Sequence, residues 1–261
     1  MIAFESHYRR VTTLKTSLNT LLFDLDGTLL PLDLDVFMKG YFRSLLPRIS
    51  HLLEPETATK EIWAATEAMI RNEDPDLTNE QVFKAAFFGR ANVTEEDIWP
   101  LFDEFYRRDF AELRSLSEPS AISREICRNA IDKGYRVVVA TNPIFPETAI
   151  RWRMEWAGVG DLPFDLITTM ENSHFCKPSP KYYVEIMDKL DVSPFECIMF
   201  GNDVQEDGVA GKLGMQTYLV TDCLIDRGVG HLEFDHRGTL ADARAFIEAL
   251  PVLSKTEGSH Q

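Results

Sequence analysis

The sequence predicts an α/β fold in which a mostly parallel sheet carries a separate helical module, inserted just after the first strand. Two observations support this. From residue 115 onward, short apolar runs alternate with amphipathic segments of ten to fifteen residues, a pattern typical of βαβ units. Residues 36–114 instead show only three- and four-residue apolar spacing, which is typical of helices.

The first strand is expected within residues 21–30, LLFDLDGTLL. Side chains alternate faces in an extended segment, so Asp24 and Asp26 should point the same way. Two such charges require a cation or a shared proton, and Mg²⁺ prefers oxygen ligands. Gly27 permits a tight turn, and the Thr28 hydroxyl is placed to hold a phosphate oxygen. The alternative is a strand end that is capped by solvated acids.

The helical module follows a turn-rich exit at residues 31–35. Pro47, Pro55, Pro75 and the start signal at residues 94–97 divide it into about four helices. We therefore predict a core of residues 1–32 and 115–261 and a helical cap of residues 33–114. Residues 1–17 show no clear period and are interpreted as a peripheral extension.

The second half of the chain is expected to alternate regularly. The predicted strands are residues 135–140, 164–168, 197–200 and 216–220. The predicted helices are one that opens at 117–119 and is closed by Gly134, then 146–157, 179–190, one ending at Gly214, and 240–250. Residues 222–239 give no clear pattern, and the polar tail after residue 250 is expected to be loose.

Composition excludes several classes of function. The net charge of −15 argues against nucleic acid or an anionic membrane as the main partner. No secretory signal and no apolar span of about 18 residues is present. The four cysteines are scattered, which favours reduced thiols over a disulfide framework or a zinc site. We therefore expect a cytoplasmic protein, whose oligomeric state the sequence does not indicate.

Polar residues follow the predicted strands at four places: residues 24–28, 141–142, 177–178 and 202–207. Because parallel strands end at one edge of a sheet, these segments should converge. In this order they resemble the haloacid dehalogenase (HAD) superfamily, which consists mostly of magnesium-dependent phosphohydrolases. The resemblance covers residues 18–32 and 115–222. It implies a Rossmann-like, doubly wound parallel core, with the helical insert as a C1 cap.

The resemblance also implies a role for each matching residue. Asp24 matches the nucleophile that forms an aspartyl-phosphate, and Asp26 matches the general acid/base. Thr141 and the backbone around Asn142 would hold the phosphoryl oxygens. Lys177 would neutralise charge on the nucleophile and the phosphate. Taken alone, Lys177 also fits a surface lysine ahead of a helix.

The acidic motif departs from the usual pattern, because Gly201 is followed by Asn202 rather than Asp. Aligned without a gap, Asn202 takes the first acidic position; aligned as Asp-x-x-x-Asp, Asp203 does. We prefer Asp203 as the direct metal ligand, although an Asn oxygen is also acceptable to Mg²⁺. Asp207 is expected to orient Lys177 or a metal-bound water. The predicted metal set is Asp24, Asp26, Asp203 and Asn202.

The predicted function is a magnesium-dependent phosphohydrolase that acts on a small phosphorylated metabolite. The alternatives are a phosphomutase or phosphotransferase of the same superfamily, or a non-catalytic binding protein on this fold. Asp26 favours phosphoryl transfer, because a haloacid dehalogenase proper does not need this second acid. Lys39, Arg43 and Arg90 are candidates to meet an anionic substrate, with a solvated helix face as the alternative. The substrate itself cannot be read from the sequence.

Overall fold

The computed structural model describes residues 18–230 and 232–253, so the predicted extension at residues 1–17 lies outside it. The described residues form a six-stranded, all-parallel sheet with the strand order β3-β2-β1-β4-β5-β6. The strands are β1 Thr20–Phe23, β2 Arg136–Val139, β3 Leu166–Ile167, β4 Cys197–Gly201, β5 Gln216–Val220 and β6 His236–Gly238. This confirms the predicted α/β class.

Strand β1 lies at the centre of the sheet. Leu22 of β1 is in register with Val138 of β2 on one side and with Met199 of β4 on the other. All four residues of β1 are buried, because helices cover both faces of a parallel sheet. This explains why an uninterrupted apolar run, rather than an alternating one, precedes Asp24.

The helices agree closely with the periodicity. The insert contains α1 Leu34–Ile49, α2 Pro55–Ile70, α3 Asn79–Phe88 and α4 Glu95–Arg108. The core contains α5 Ala121–Asp132, α6 Glu147–Trp156, α7 Pro180–Leu190, α8 Val204–Asp207 and α9 Leu240–Ala249. Short 3₁₀ helices occupy Phe110–Leu116, Pro194–Glu196 and Gly208–Leu213. The four helices expected in the insert are therefore confirmed.

Side-chain caps mark the start of two helices in the insert. The Thr94 hydroxyl accepts a hydrogen bond from the Asp97 amide at 3.3 Å and so caps α4. Thr78 and Gln81 form a capping box at the start of α3. Pro47 differs from the prediction: it lies inside the last turn of α1 and does not end the helix. The buried side chains of Leu45 and Ile49 favour this continuation.

Polar contacts fix the insert above the sheet edge. The Trp152 indole on α6 donates to the Tyr106 carbonyl on α4 at 3.0 Å. Asn79, at the start of α3, is fully buried and donates from its side chain to the Pro143 carbonyl at 3.2 Å. Its backbone amide donates to the Ser173 carbonyl at 2.8 Å. Helix α3 is thus bonded directly to the loops that follow β2 and β3, and α4 is bonded to α6.

Three further details differ from the prediction. The expected helix ending at Gly214 is a four-residue α8 continued by a 3₁₀ helix, where two glycines lower helix propensity. Strand β6 was not predicted, because its sequence HRG carries no apolar run. The tail is ordered through Leu253, whose amide donates to the Lys133 carbonyl at 2.8 Å. Residues 254–261 lie outside the described part.

Candidate active site

The predicted motifs converge at the carboxyl edge of the sheet, where parallel α/β folds place their ligands. Asp24 directly follows β1, and Asn202 and Asp203 follow β4. They line a pocket of about 220 Å³ between the sheet edge and the insert. Its core half is formed mainly by Asp24, Asp26, Thr141, Asn142, Asn202 and Asp203.

The turn after β1 brings Asp24 and Asp26 to the same pocket. The strand ends at Phe23, and the Leu30 amide then donates to the Leu25 carbonyl at 2.8 Å. Leu25 points into the core and is fully buried. The two carboxylates reach the same pocket, as predicted. A tight turn brings them there rather than a continuing strand, because β1 ends at Phe23, before Asp24.

Gly27 makes this turn possible for two reasons. Its φ of +85° lies in the left-handed region that side chains disfavour. A Cβ at this position would also lie 2.3 Å from Asn202 Nδ2. The glycine therefore lets the turn after β1 approach the end of β4 closely.

Lys177 is buried behind the pocket and joins two carboxylates. Its Nζ lies 2.8 Å from Asp24 Oδ1 and 2.7 Å from Asp207 Oδ1, with only 1% of the side chain exposed. Burial by itself would lower the Lys177 pKa, but the Asp207 and Asp24 carboxylates raise it well above its usual value. Lys177 is thus held as a cation beside Asp24, and it is no surface lysine.

Asp26 forms an ion pair that the sequence did not indicate. Its Oδ2 accepts a hydrogen bond from Arg153 Nη1, whereas Oδ1 is buried with no partner among the described residues. Burial raises the Asp26 pKa, Arg153 opposes this, and Asp24 adds to it. A buried oxygen without a partner is unfavourable unless a ligand or a water reaches it. Within the described part of the chain, Asp26 Oδ1 is therefore an acceptor without a hydrogen bond, which a proton, a water or a ligand would supply.

Arg153 is the most buried charged residue that sequence reasoning missed. It lies on α6 with 1% of its side chain exposed, and its guanidinium is 4.6 Å from the ring centre of Phe145. The signal was an arginine on the apolar face of a predicted helix, between Ile150 and Met154. A charge at such a position requires a buried partner, and the structure supplies Asp26.

Asn202, rather than Asp203, lies beside Asp24. The Thr28 hydroxyl is 3.0 Å from Asn202 Oδ1 and 3.5 Å from Asp24 Oδ2, so it joins the two side chains. Asn202 Nδ2 donates to the Cys223 carbonyl at 2.6 Å, which turns Oδ1 toward Thr28. Thr28 itself is buried and does not line the pocket, so its hydroxyl orients Asn202 instead of facing a phosphate.

The Asp203 carboxylate is engaged elsewhere. Its Oδ1 accepts hydrogen bonds from the Gln205 and Glu206 amides at 3.0 Å and from Arg227 Nη1 at 2.7 Å. Asp203 thus caps α8 and is neutralised by an arginine. Arg227 belongs to the loop between β5 and β6, whose residues gave no sequence pattern. The structure thus links Asn202 to Asp24 through Thr28 and places Asp203 Oδ1 in other contacts. The preference for Asp203 as the direct metal ligand stays a prediction.

Thr141 and Asn142 are fixed by their neighbours. The Thr141 carbonyl accepts hydrogen bonds from Thr168 Oγ1 at 2.7 Å and from the Tyr182 hydroxyl at 2.9 Å. Asn142 Oδ1 accepts from the Lys177 amide at 3.2 Å. The Asn142 side chain therefore connects two of the motif loops, and both residues line the pocket.

The core half of the pocket carries excess negative charge. Glu206, which also lines the pocket, has its pKa raised to about 7, first by burial and then by Asp203 and Asp207, although Lys177 lowers it. Burial is the largest cause of this shift, and the two neighbouring carboxylates add to it. The ion pairs here join five carboxyl groups to three cations, Lys177, Arg153 and Arg227. An added cation would relieve this imbalance.

The donor set fits a hard cation such as Mg²⁺. Asp24 Oδ2 and Asn202 Oδ1 are oxygen atoms that share one hydroxyl donor, and the resemblance adds the Asp26 carbonyl. Within the described residues, no three His, Cys, Asp or Glu side chains are grouped so as to hold a metal by themselves. Mg²⁺ commonly uses one or two carboxylates and completes its shell with waters and substrate oxygens, so this sparse set remains suitable.

The cap half of the pocket is predominantly aromatic. It is lined by Tyr41, Phe42, Trp63, Phe83, Trp99 and Phe102. Tyr106 joins them, and its hydroxyl lies 2.7 Å from that of Tyr41. The candidates Lys39, Arg43 and Arg90 do not line this pocket. The cap half of the pocket is therefore walled mainly by apolar side chains instead of the basic ones considered from the sequence.

Comparison with known proteins agrees with this arrangement. The haloacid dehalogenase-like hydrolase family model matches residues 18–213. A HAD phosphatase from Thermococcus onnurineus has a similar fold, with a TM-score of 0.55 and 19% identity over 90% of this chain and 100% of its own. No curated protein sequence matches the chain significantly.

Two further solved structures show the range of proteins with this fold. L-2-haloacid dehalogenase from Xanthobacter autotrophicus has a TM-score of 0.55 and 14% identity over 89% of this chain and 99% of its own. The putative HAD hydrolase YfnB from Bacillus subtilis, bound to magnesium, has a TM-score of 0.53 and 16% identity over 88% of this chain and 99% of its own. Identities this low show a shared fold only.

No helix in the described residues is both long and apolar enough to cross a membrane. The family model covers well over half of the sequence, including every motif that meets at the sheet edge. The chain therefore belongs to the haloacid dehalogenase-like hydrolases.

Proposed function

We propose that this hydrolase is a magnesium-dependent phosphatase that acts on a small phosphorylated metabolite through an aspartyl-phosphate on Asp24. The observation that carries the proposal is the arrangement of two carboxylates with different environments. Asp24 lies against the Lys177 cation, 2.8 Å away, whereas Asp26 has a raised pKa and a buried oxygen without a partner. Two carboxyl groups kept distinct in this way suit a nucleophile and an acid.

In the first step, an Asp24 oxygen attacks phosphorus while the bond from phosphorus to the leaving oxygen breaks. Asp26 donates its proton to that oxygen, so the product leaves as an alcohol. Lys177 keeps Asp24 in place and offsets the charge that accumulates on the phosphoryl oxygens. Thr141 and the backbone of Asn142 line the pocket where those oxygens would lie.

In the second step, water attacks the phosphorus of the aspartyl-phosphate. Asp26, now a carboxylate, takes a proton from this water, and the bond from phosphorus to Asp24 breaks. Phosphate is released, and both carboxyl groups return to their starting states. Arg153 positions Asp26 throughout, because its guanidinium binds one carboxylate oxygen and leaves the other for the proton transfers.

Magnesium would be held by Asp24, Asn202 and the Asp26 carbonyl, with Asp203 retained as the alternative from the sequence. Bound Mg²⁺ would neutralise charge on the transferring phosphoryl group. Two findings support its inclusion: the oxygen-only donor set and the excess negative charge around Glu206. The related YfnB structure contains magnesium.

The test is hydrolysis of p-nitrophenyl phosphate and of a panel of small phosphate esters, with and without Mg²⁺. We expect magnesium-dependent release of phosphate that is lost on chelation with EDTA. Rapid acid quenching of the Asp26→Asn variant should trap phosphate covalently bound to protein. An absence of turnover with every ester would refute the proposal and favour a binding protein.

A second candidate is hydrolysis of a carbon–halogen bond, also by attack of Asp24. One observation favours it: Arg153 binds the Asp26 carboxylate, and dehalogenation needs no acid at that position. Halide release from 2-chloropropionate distinguishes the candidates. Asp26→Asn would leave dehalogenation intact, whereas it would stop the hydrolysis of unactivated phosphate esters.

A further inference from the structure

The cap half of the pocket has almost no charge with which to bind a polar substrate. Among the residues of the insert, all of which the structure describes, Asp103 is the one charged side chain on the pocket wall. Asp103 lies on α4 beside Phe102 and is exposed. A carboxylate at this place repels a second anionic group on the substrate.

Two basic side chains of the cap, Arg90 and Lys84, are held in ion pairs, and no basic residue of the cap, which is described throughout, lines the wall. Arg90 Nε lies 2.5 Å from Glu61 Oε2. Lys84 Nζ lies 3.0 Å from both Glu80 and Glu95. Binding a second phosphate or carboxylate would therefore require these ion pairs to break. On the core side, the Arg227 guanidinium is likewise held by Asp203 at 2.7 Å.

The hydrogen-bonding capacity of the cap half is also small. The Thr66 hydroxyl donates to the Ile62 carbonyl at 2.9 Å, so its proton is used. The Tyr41 and Tyr106 hydroxyls are bonded to each other, and this leaves one of their two protons for a ligand. A sugar with several hydroxyl groups would lose water here without finding enough partners.

Aromatic side chains instead offer a complementary surface for an apolar group. Trp99 contacts both Phe83 and Phe102, with ring centres 6.3 Å and 5.9 Å apart. Trp63, which is 47% exposed, contacts Phe42 at 5.7 Å and lies on the same wall. Such walls typically bind apolar or aromatic ligands in preformed pockets.

We propose that the cap selects phosphate monoesters whose alcohol part is apolar or aromatic and carries no second charged group. This inference rests on the proposed phosphatase activity, for which the core half of the pocket supplies the chemistry. The phosphate would lie at the sheet edge, and the alcohol part would lie among the cap aromatics.

The experiment compares pairs of phosphate esters that both release a primary alcohol and differ mainly in the polarity or charge of that alcohol. Cyclohexylmethyl phosphate and glucose 6-phosphate are both esters of a primary alcohol on a six-membered ring, and they differ mainly in hydroxyl groups. Benzyl phosphate and 4-carboxybenzyl phosphate differ in one charge. We expect kcat/KM to be roughly 10- to 100-fold higher for the apolar member of each pair. Equal values, or a preference for the polar members, would overturn the proposal.

Binding is measured apart from turnover, so that the phosphatase proposal and the cap inference can be refuted independently. Benzylphosphonate cannot be hydrolysed, and its affinity is compared by calorimetry with that of 4-carboxybenzylphosphonate. Tighter binding of benzylphosphonate supports the cap inference even if no ester is turned over, an outcome that refutes only the phosphatase. Turnover that favours glucose 6-phosphate refutes only the cap inference. Failure to bind either phosphonate refutes the cap inference.

A matched pair of variants tests the wall directly. Asp103→Lys should raise kcat/KM for 4-carboxybenzyl phosphate about 10-fold relative to benzyl phosphate, because it replaces a repulsive charge by an attractive one. Glu104→Lys makes the same change on the neighbouring residue, which does not line the pocket. It should leave that ratio unchanged. Equal effects of the two variants would show that the wall does not contact the substrate.

Discussion

The two halves of the pocket are built in opposite ways. The core half consists of short polar side chains that are fixed by buried hydrogen bonds and ion pairs, as with Lys177 between Asp24 and Asp207. The cap half consists of large aromatic side chains with one exposed carboxylate. Under the proposed function, the core half would act on almost any phosphate ester, and the cap half would determine which ester binds.

The largest effect that distinguishes the two halves of the pocket is expected from Asp24→Asn. This variant should lower turnover by roughly 10⁴-fold or more, because the nucleophile is removed. The cap is untouched, so benzylphosphonate should still bind and change the fluorescence of Trp63. Asp35→Asn, an exposed change on α1, is the control and should retain activity. Substantial turnover in Asp24→Asn would remove Asp24 from its proposed role.

The second prediction concerns the balance of charge in the core half. Lys177→Met leaves Asp24 and Asp207 without their shared cation, so the free energy of unfolding should fall by about 3–5 kcal/mol. Adding Asp207→Asn should recover part of this stability, but not the activity. Denaturant unfolding provides the measurement.

Lys181→Met is the matched control, because Lys181 forms an exposed pair with Glu73. Its effect on stability should stay below about 1 kcal/mol. If the two lysine variants were equally stable, the buried cation would contribute little to the fold.

The third prediction tests Arg153 as the residue that positions Asp26. Arg153→Met should slow the first step, measured as the rate of alcohol release in a single turnover, roughly 100-fold for alkyl phosphates, whose leaving group needs a proton. The loss should be much smaller with p-nitrophenyl phosphate, whose leaving group needs none. Asp26→Asn should show the same contrast between substrates.

Arg151→Met changes an exposed arginine on the same helix, which is paired with Glu147 at 3.0 Å, and serves as the control. A purely structural role for Arg153 would slow this first step equally for both substrates. That result would contradict the positioning role.

The smallest expected effect distinguishes the two candidate metal ligands. Asn202→Ala should raise the Mg²⁺ concentration needed for half-maximal activity by roughly 10-fold. Asp203→Asn should raise it less, because Asp203 is already bound by Arg227 and by the α8 amides. The reverse order would restore Asp203 as the direct ligand.

The residues of the core half of the pocket were the ones that the sequence could identify. The core motifs were identified because each is a short, local pattern at a strand end, such as Asp24 to Thr28 after β1. In a parallel sheet, strand ends meet at one edge whatever the details of packing. The convergence of four distant segments was therefore predictable, as were the four helices of the insert.

The sequence by itself determined the α/β class, the helical insert and the residues that gather at the sheet edge. Only the packing of the whole chain set the contacts: Arg153 with Asp26, Arg227 with Asp203, and Thr28 between Asp24 and Asn202. It also decided that the cap turns aromatic side chains toward the pocket and its basic ones away. Periodicity reveals which residues share a face of one element, whereas a contact between two elements depends on the packing of the whole chain.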